Sequence, residues 1–508
     1  MLSLFRRFTA KAKTLPLPPS ERGRKGLESG RLIDLENEIA KLPRYHPESC
    51  PDGLIDLSGA ENDLMLEYMV DKMEAFAKNR ETSKCSFIVD GSVAAIKYGG
   101  VMGSNEPELL IAVSSFINKH FCPVKGVRSQ DIIVTNGVSS LLDLAIFNIC
   151  DPGEGVLVLT PNYAMFPHDV CIRTGARLIN VNMTDWNHQF RAEFVHDVVE
   201  ELERTCSESE AGGVRVKALL ISNPNNPCGR CYPKATLLEL ARFCARKGLH
   251  FISDEIYAMS TIPSSEDSLD PFTSVLQIAE NSRENIHCLY GASKDFGAGG
   301  LRLGFMVTRN ELFWKTCRRL ALFTWVTTSS ADFFAHFLTD HADEYLTIYR
   351  DRLRKRYADI SALLHAQSVP FQAANGGIFV LLDLSKWLQY VDADDSKESS
   401  EAKLGRYLAY NGGVYLSFGE HSLMCLTIFS DSDFLALGAT ECSASTLAVS
   451  AGSFELSVLD AARKYSDFFA LSATECSVST LKTTMPSSLE RLLEEFCLPS
   501  FSATRFGS

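Results

Sequence analysis

The sequence predicts an α/β protein with a mostly parallel sheet covered by helices on both faces. Two observations carry this. From about residue 130 to 310, short β-branched apolar runs alternate with longer amphipathic stretches, the pattern of strands joined by crossover helices. Each run is also followed directly by polar residues or glycine, and in such sheets ligands sit at the carboxyl ends of the strands.

In chain order the runs are DIIVTNG, GVLVLTPNY, VKALLISNPNNP, LHFISDEIY and IHCLYGASKD. Among the stretches between them, VSSLLDLAIFNIC (138–150) and KATLLELARFCARKG (234–248) are amphipathic and predict helices. At 508 residues the chain exceeds one compact core and suits two or three domains.

Composition narrows the function. Hydrophobic residues are 45% and charged residues 22%, ordinary for a soluble globular protein. The net charge of -13 argues against a nucleic-acid partner, which would need a basic face. No apolar run approaches the ~20 residues a bilayer span requires, so no membrane partner is expected. The 15 cysteines lack framework spacing and suit free thiols in a reducing, cytoplasmic compartment. One CxxC, Cys228 to Cys231, has no second pair at zinc spacing, so no metal is expected. The N-terminus, MLSLFRRFTAKAKTLPLPPSERGRK, is basic with Glu21 as its single acid. It reads either as a tail broken at Pro16, Pro18 and Pro19, or as a mitochondrial transit peptide.

Five predicted strands end in chemistry at one edge. Asp254 closes HFISD; it suits a helix N-cap, or a carboxylate facing a protonated ring nitrogen. Asn226, in SNPNNPCG, belongs to a proline-rich turn or donates to a phenolic oxygen, as the Tyr257 hydroxyl also would. Tyr163 is a packed aromatic or a ring-stacking one. Gly137, Val138 and Ser139 open a helix just after a strand, and its free N–H groups with the Ser139 hydroxyl suit a phosphate. Arg302 would add a bidentate contact. Lys294, beside Ser293, offers an amine for a Schiff base. Together these describe a site for pyridoxal 5′-phosphate, with Lys294, Asp254 and Tyr257 as the catalytic set.

On these motifs the chain resembles the fold-type-I aminotransferases of class I and II, and within them the 1-aminocyclopropane-1-carboxylate (ACC) synthase-like branch. The resemblance runs from about Tyr45 to Asp431 and rests on YHPESCPDGLIDLSGAENDL (45–64), NPNNPCG (223–229), SDEIYA (253–258) and SKDFGAGGLRLG (293–304). It implies a three-layer α/β/α sandwich with a mostly parallel central sheet, plus a smaller α+β domain. The implied division is a tail at 1–35, a segment at 36–95 contributing to the small domain, the large cofactor domain at 96–325 and the small domain at 326–431. It also implies a homodimer, an amino acid substrate oriented by Ala60 and Glu61, and a tyrosine reaching the partner's phosphate, for which Tyr98 is the candidate.

Three departures stand out. Where many relatives place a serine ahead of the lysine, this chain has Gly291. The family arginine that clamps the substrate carboxylate has no counterpart in GVYLSFGEHSLMCLTIFSD (413–431), where Cys425 falls near its position; a thiol cannot replace a guanidinium fork. Finally, DFLALGATECSASTL (433–447) recurs as DFFALSATECSVSTL (467–481), which predicts a loosely docked insertion over 432–485. The stretch SSLERLLEEFC (487–497) then predicts a terminal helix, within 486–508.

The expected function is chemistry on an α-amino acid that begins with loss of its Cα proton, ending in transamination or in a lyase reaction such as ACC formation. The alternative is a cofactor-binding protein with little or no catalysis, because the carboxylate arginine is missing.

Overall fold

The computed structural model describes residues 19–28, 37–46, 48–59, 61–78, 107–262, 269–278, 283–391 and 400–416. Ala60, Tyr98, Cys425, the repeat and the terminal helix expected at 487–497 lie outside them.

Seven strands form the main sheet: β2 (Ile132–Thr135), β3 (Gly155–Leu159), β4 (Arg177–Val181), β5 (Val216–Ser222), β6 (His250–Asp254), β7 (Ile286–Gly291) and β8 (Gly304–Thr308). Their order is β2-β8-β7-β6-β5-β3-β4. All neighbours are parallel except β8, which runs antiparallel to both β2 and β7. The link 292–303 between β7 and β8 holds only a 3-10 turn, Gly299–Leu301, so the chain reverses instead of crossing over. Because β8 reverses twice, β2 points the same way as β7. The carboxyl ends of β2, β3, β5, β6 and β7 therefore meet at one edge.

Side chains that alternate along each strand feed two cores. From β5, Leu219 and Ile221 enter one, while Ala218 and Leu220 enter the other. The second core is closed by α4 (Val138–Ile149), α5 (Phe166–Cys171) and α8 (Glu311–Leu320) through Leu141, Ala145, Phe166, Val170 and Phe313. The first is closed by α3 (Pro107–His120), α6 (Val195–Ala211), α7 (Lys234–Lys247), α9 (Thr328–Asp340) and α10 (Ala342–Ala366). This is the expected three-layer sandwich. Local signals set the helix ends. Gly248, at φ +68°, stops α7 in the left-handed conformation glycine tolerates. The Asn310 side chain caps α8 by accepting from the Phe313 N–H at 2.9 Å.

A separate core joins distant parts of the chain. Strand β1 (Ile55–Asp56) pairs in parallel with β9 (Val414–Tyr415), Ile55 opposite Val414. Beside them Ile39, Leu54, Leu364, Trp387, Leu404 and Leu408 pack together, the last two from α11 (Ser400–Tyr410). The remaining helices are α1 (Glu21–Glu28), inside the segment read as a tail, and α2 (Leu66–Lys78). No described helix is long and apolar enough to cross a membrane.

Candidate active site

Asp254 ends β6 with its side chain almost wholly buried, and its Oδ1 accepts from the Ile256 N–H at 3.2 Å. Burial pushes this carboxyl up to about 7; the Ile256 N–H opposes that, Asp169 adds to it, and the Lys294 ammonium pulls it down. Lys294 sits in the turn after β7. Burial lowers its pKa from the ordinary lysine value, while Glu61 and Asp254 act to raise it. The amine thus lies in the field of two carboxyls, one from the AEN triplet and one from the sheet. A lysine of lowered pKa can release its proton and serve as a base.

Tyr257 is buried three residues past Asp254. Burial holds its hydroxyl well above the usual tyrosine range; Tyr163, Asp254 and Asp295 push the same way, and a hydrogen bond with Asn226 opposes them. The Tyr257 hydroxyl therefore stays protonated and is a donor. Asn226 is placed by its own turn, where its N–H donates to Ser222 Oγ at 3.2 Å and the Asn225 N–H donates to the Arg230 carbonyl at 2.7 Å. The Tyr163 ring meets Phe166 edge-to-face at 5.4 Å, which fixes its plane.

The anion end is built from backbone. Gly137, at φ +121°, precedes α4, and no side chain caps the helix. A Cβ on Gly137 would lie 2.5 Å from Arg302 Nη2, and one on Gly304 would lie 2.6 Å from the Gly137 carbonyl carbon. Glycine at both positions lets the open first turn of α4 stand directly against the guanidinium. Arg302 adopts φ +54°, a conformation costly for any residue but glycine. The uncapped N–H groups of Val138 and Ser139, beside the Arg302 guanidinium, have the polarity that suits an anion. Ser139 and Arg302 are exposed, and Ser293 is half-buried.

Gly291 is explained by crowding. A Cβ there would come within 2.7 Å of the Leu303 carbonyl oxygen and 3.0 Å of Val138 Cγ2. The hydroxyl other proteins place here has no room.

Buried polar atoms without a hydrogen bond include Asn136 Oδ1, both side-chain polar atoms of Asn162, and Asp169 Oδ2. Asn136 follows β2 and Asn162 follows β3, so this deficit sits at the same strand ends. Native proteins satisfy such atoms, and a ligand with its own donors and acceptors would do so. The open helix turn with Arg302, the buried Asp254, the Asn226–Tyr257 pair and the Lys294 amine fit pyridoxal 5′-phosphate part by part.

Three residues escaped the sequence reading. Asp169 lies on α5 with Phe166 and Val170, which are also buried. Burial pushes its carboxyl up, while His168 and Ser139 draw it down. An acid on the apolar face of a helix was its one signal. Asp295 follows Lys294 in the turn and its carboxylate is bonded to Met259 and Ser260, while Asn62 reaches the same turn from 232 positions away; sequence separation hid these partners.

Among known proteins, the model for aminotransferase class I and II matches residues 95–425. A probable aminotransferase, sirI of Leptosphaeria maculans, is 32% identical over 354 residues, covering 68% of this chain and 80% of its own. The 1-aminocyclopropane-1-carboxylate synthase 6 of Arabidopsis thaliana is 31% identical over 385 residues, covering 74% of this chain and 73% of its own. In structure, the chain resembles the Thermus thermophilus aspartate aminotransferase with maleate (TM-score 0.59, 21% identity, 80% of this chain and 92% of that one). It also resembles Pyrococcus protein-A1 (TM-score 0.61, 17% identity, 88% and 99%).

Proposed function

Because the chain belongs to the aminotransferase class I and II family, whose members work with pyridoxal 5′-phosphate, we propose that it removes the α-proton of an amino acid at this site. The observation that carries the reading is the Lys294 amine, lowered in pKa by burial and placed in the field of Glu61 and Asp254. When bound, the cofactor supplies a carbonyl that condenses with amines and a ring that takes up the electron pair left at Cα.

The residues divide the remaining work. Gly137 and the first turn of α4 behind it (Val138, Ser139), with Ser293 and Arg302, hold the phosphate. Tyr163 covers one ring face and keeps water from it. Asn226 and the protonated Tyr257 donate to the phenolic oxygen. Asp254, ionised opposite a ring cation, keeps the proton on the ring nitrogen. Lys294 Nζ takes the Cα proton and can return it elsewhere. Glu61 orients the amino acid, and Ala60, next to it in the triplet, is assigned to the substrate side with it.

Where the proton returns decides the product. The similarity to a probable aminotransferase and to ACC synthases supports transamination or loss of a side-chain substituent. By family likeness the working form is a homodimer in which Tyr98 reaches the neighbouring site. The cytoplasm is the proposed compartment, with the mitochondrion as the alternative raised by the basic N-terminus.

Borohydride reduction of protein loaded with pyridoxal phosphate, followed by peptide mapping, should leave the adduct on Lys294; an unlabelled 293–302 peptide would overturn the assignment. Mixing the yellow protein with each amino acid and with S-adenosylmethionine, with product analysis, separates the branches. The absence of arginine from 413–431 favours a second reading, binding without turnover. A spectrum indifferent to every amino acid would favour it.

A further inference from the structure

The Lys294 turn is held from two sides. On one side the buried Asp295 carboxylate accepts from the Met259 N–H at 2.8 Å, the Tyr290 hydroxyl at 2.9 Å and the Ser260 hydroxyl. On the other stands Asn62, 5% exposed and 232 positions away in sequence. Its Nδ2 donates to the carbonyls of both Lys294 and Asp295 at 3.1 Å. The Tyr345 hydroxyl donates to the same Asp295 carbonyl at 3.1 Å. Gly297, at φ +59°, lets the two segments lie flush, since a Cβ there would sit 2.4 Å from the Asn62 carbonyl oxygen.

We propose that Asn62 is a positioning residue that latches the substrate-side segment, and Glu61 with it, onto the turn carrying Lys294. The two donations use both amide hydrogens of one side chain, so the segment cannot shift without breaking a pair of bonds, one buried and one partly buried. Glu61 precedes the latch directly and Lys294 is one of its acceptors. The latch therefore fixes the separation of that carboxylate and that amine, and keeps the amine sheltered from water. Substrate orientation and proton transfer share one mechanical connection. This deepens the reading of Lys294 as the cofactor lysine and rests on it.

The test uses apoprotein and needs no turnover. Lys294 acylation by an amine-reactive reagent, followed by peptide mass spectrometry across pH, gives the midpoint of its titration; Glu61 and Asp254 are the acids that act on it. In Asn62→Ala the segment opens and water reaches the amine. Burial is the dominant influence, so the midpoint should rise toward that of free lysine by roughly one pH unit. Glu61→Gln keeps the latch and loses only the stabilising charge, so its midpoint should fall. Tyr68→Phe keeps the ring that packs edge-on against Tyr345 and removes only the hydrogen bond from α2 to Glu344, so it should leave the midpoint in place.

An unchanged midpoint in Asn62→Ala alongside a lowered Tm would mark Asn62 as merely structural and overturn the proposal. So would an equal rise in Tyr68→Phe, which would mean general loosening. If Asn62→Ala does not fold, Asn62→Ser keeps one donor and should give a smaller rise; no rise there overturns the latch. Borohydride mapping of the parent protein judges the cofactor lysine separately, because the apoprotein titration stands whichever amine takes the cofactor.

Discussion

Asp254 is costly to the protein until a cation faces it. Its pKa in the fold, about 7, lies above the ordinary 3.8, so the folded state holds its proton more tightly. That contribution to stability is complete below about pH 4 and is lost as the pH rises to about 7. Glu255, also raised to about 7, and Asp295, raised to about 6, act in the same direction. His250, drawn down to about 4 by burial, acts oppositely and loses its contribution as the pH falls from 6.5. Apoprotein carrying Asp254→Asn should therefore lose less Tm than the parent between pH 4 and 7, by an amount corresponding to a few kcal/mol at most. Parallel curves would remove Asp254 from this account. The same substitution should weaken cofactor retention and lower turnover by several orders of magnitude, read by dialysis and by steady-state rates. Gly137→Ala places a methyl against Arg302 Nη2 in a left-handed backbone. A loss of about 1–3 kcal/mol of stability is expected, with weaker phosphate binding measured by titration with pyridoxal phosphate.

Strands and turns show what was legible and what was not. Asp254, Asn226, Tyr163, Gly137 and Lys294 could be grouped from sequence because each follows an apolar run, and a parallel sheet brings those ends together. Two strands of the seven-stranded sheet escaped. The edge strand β4, RLINV, exposes Arg177 and keeps only Val181 fully buried, so it lacks the apolar run of its neighbours. Strand β8, GFMVT, follows glycine-rich GAGGLRL and reads as part of a loop. The contacts of Asn62 with the lysine turn were invisible, because hydrogen bonds between distant segments leave no periodicity. At the β7–β8 turn, Gly291→Ser should cost about 1–3 kcal/mol, because its Cβ meets the Leu303 carbonyl oxygen and Val138. Thermal melting checks this; unchanged stability would mean the turn relaxes freely.

At the scale of the molecule, the sheet and the β1–β9 core are distinct bodies of apolar packing. Leu404→Ala, at a position 1% exposed, should remove about 2–5 kcal/mol from the smaller core. Calorimetry is expected to show an earlier melting step with the cofactor absorbance intact, whereas simultaneous loss of both would mean that the two bodies melt as one. The β1–β9 pairing also has a consequence during synthesis. Ile55 leaves the ribosome 359 residues before Val414, its partner. At roughly 5–20 residues per second, that wait is about 20–70 s. Through it Ile39, Leu54 and Ile55 lack the strand that closes over them, and a nascent chain in that condition is a natural client for chaperones.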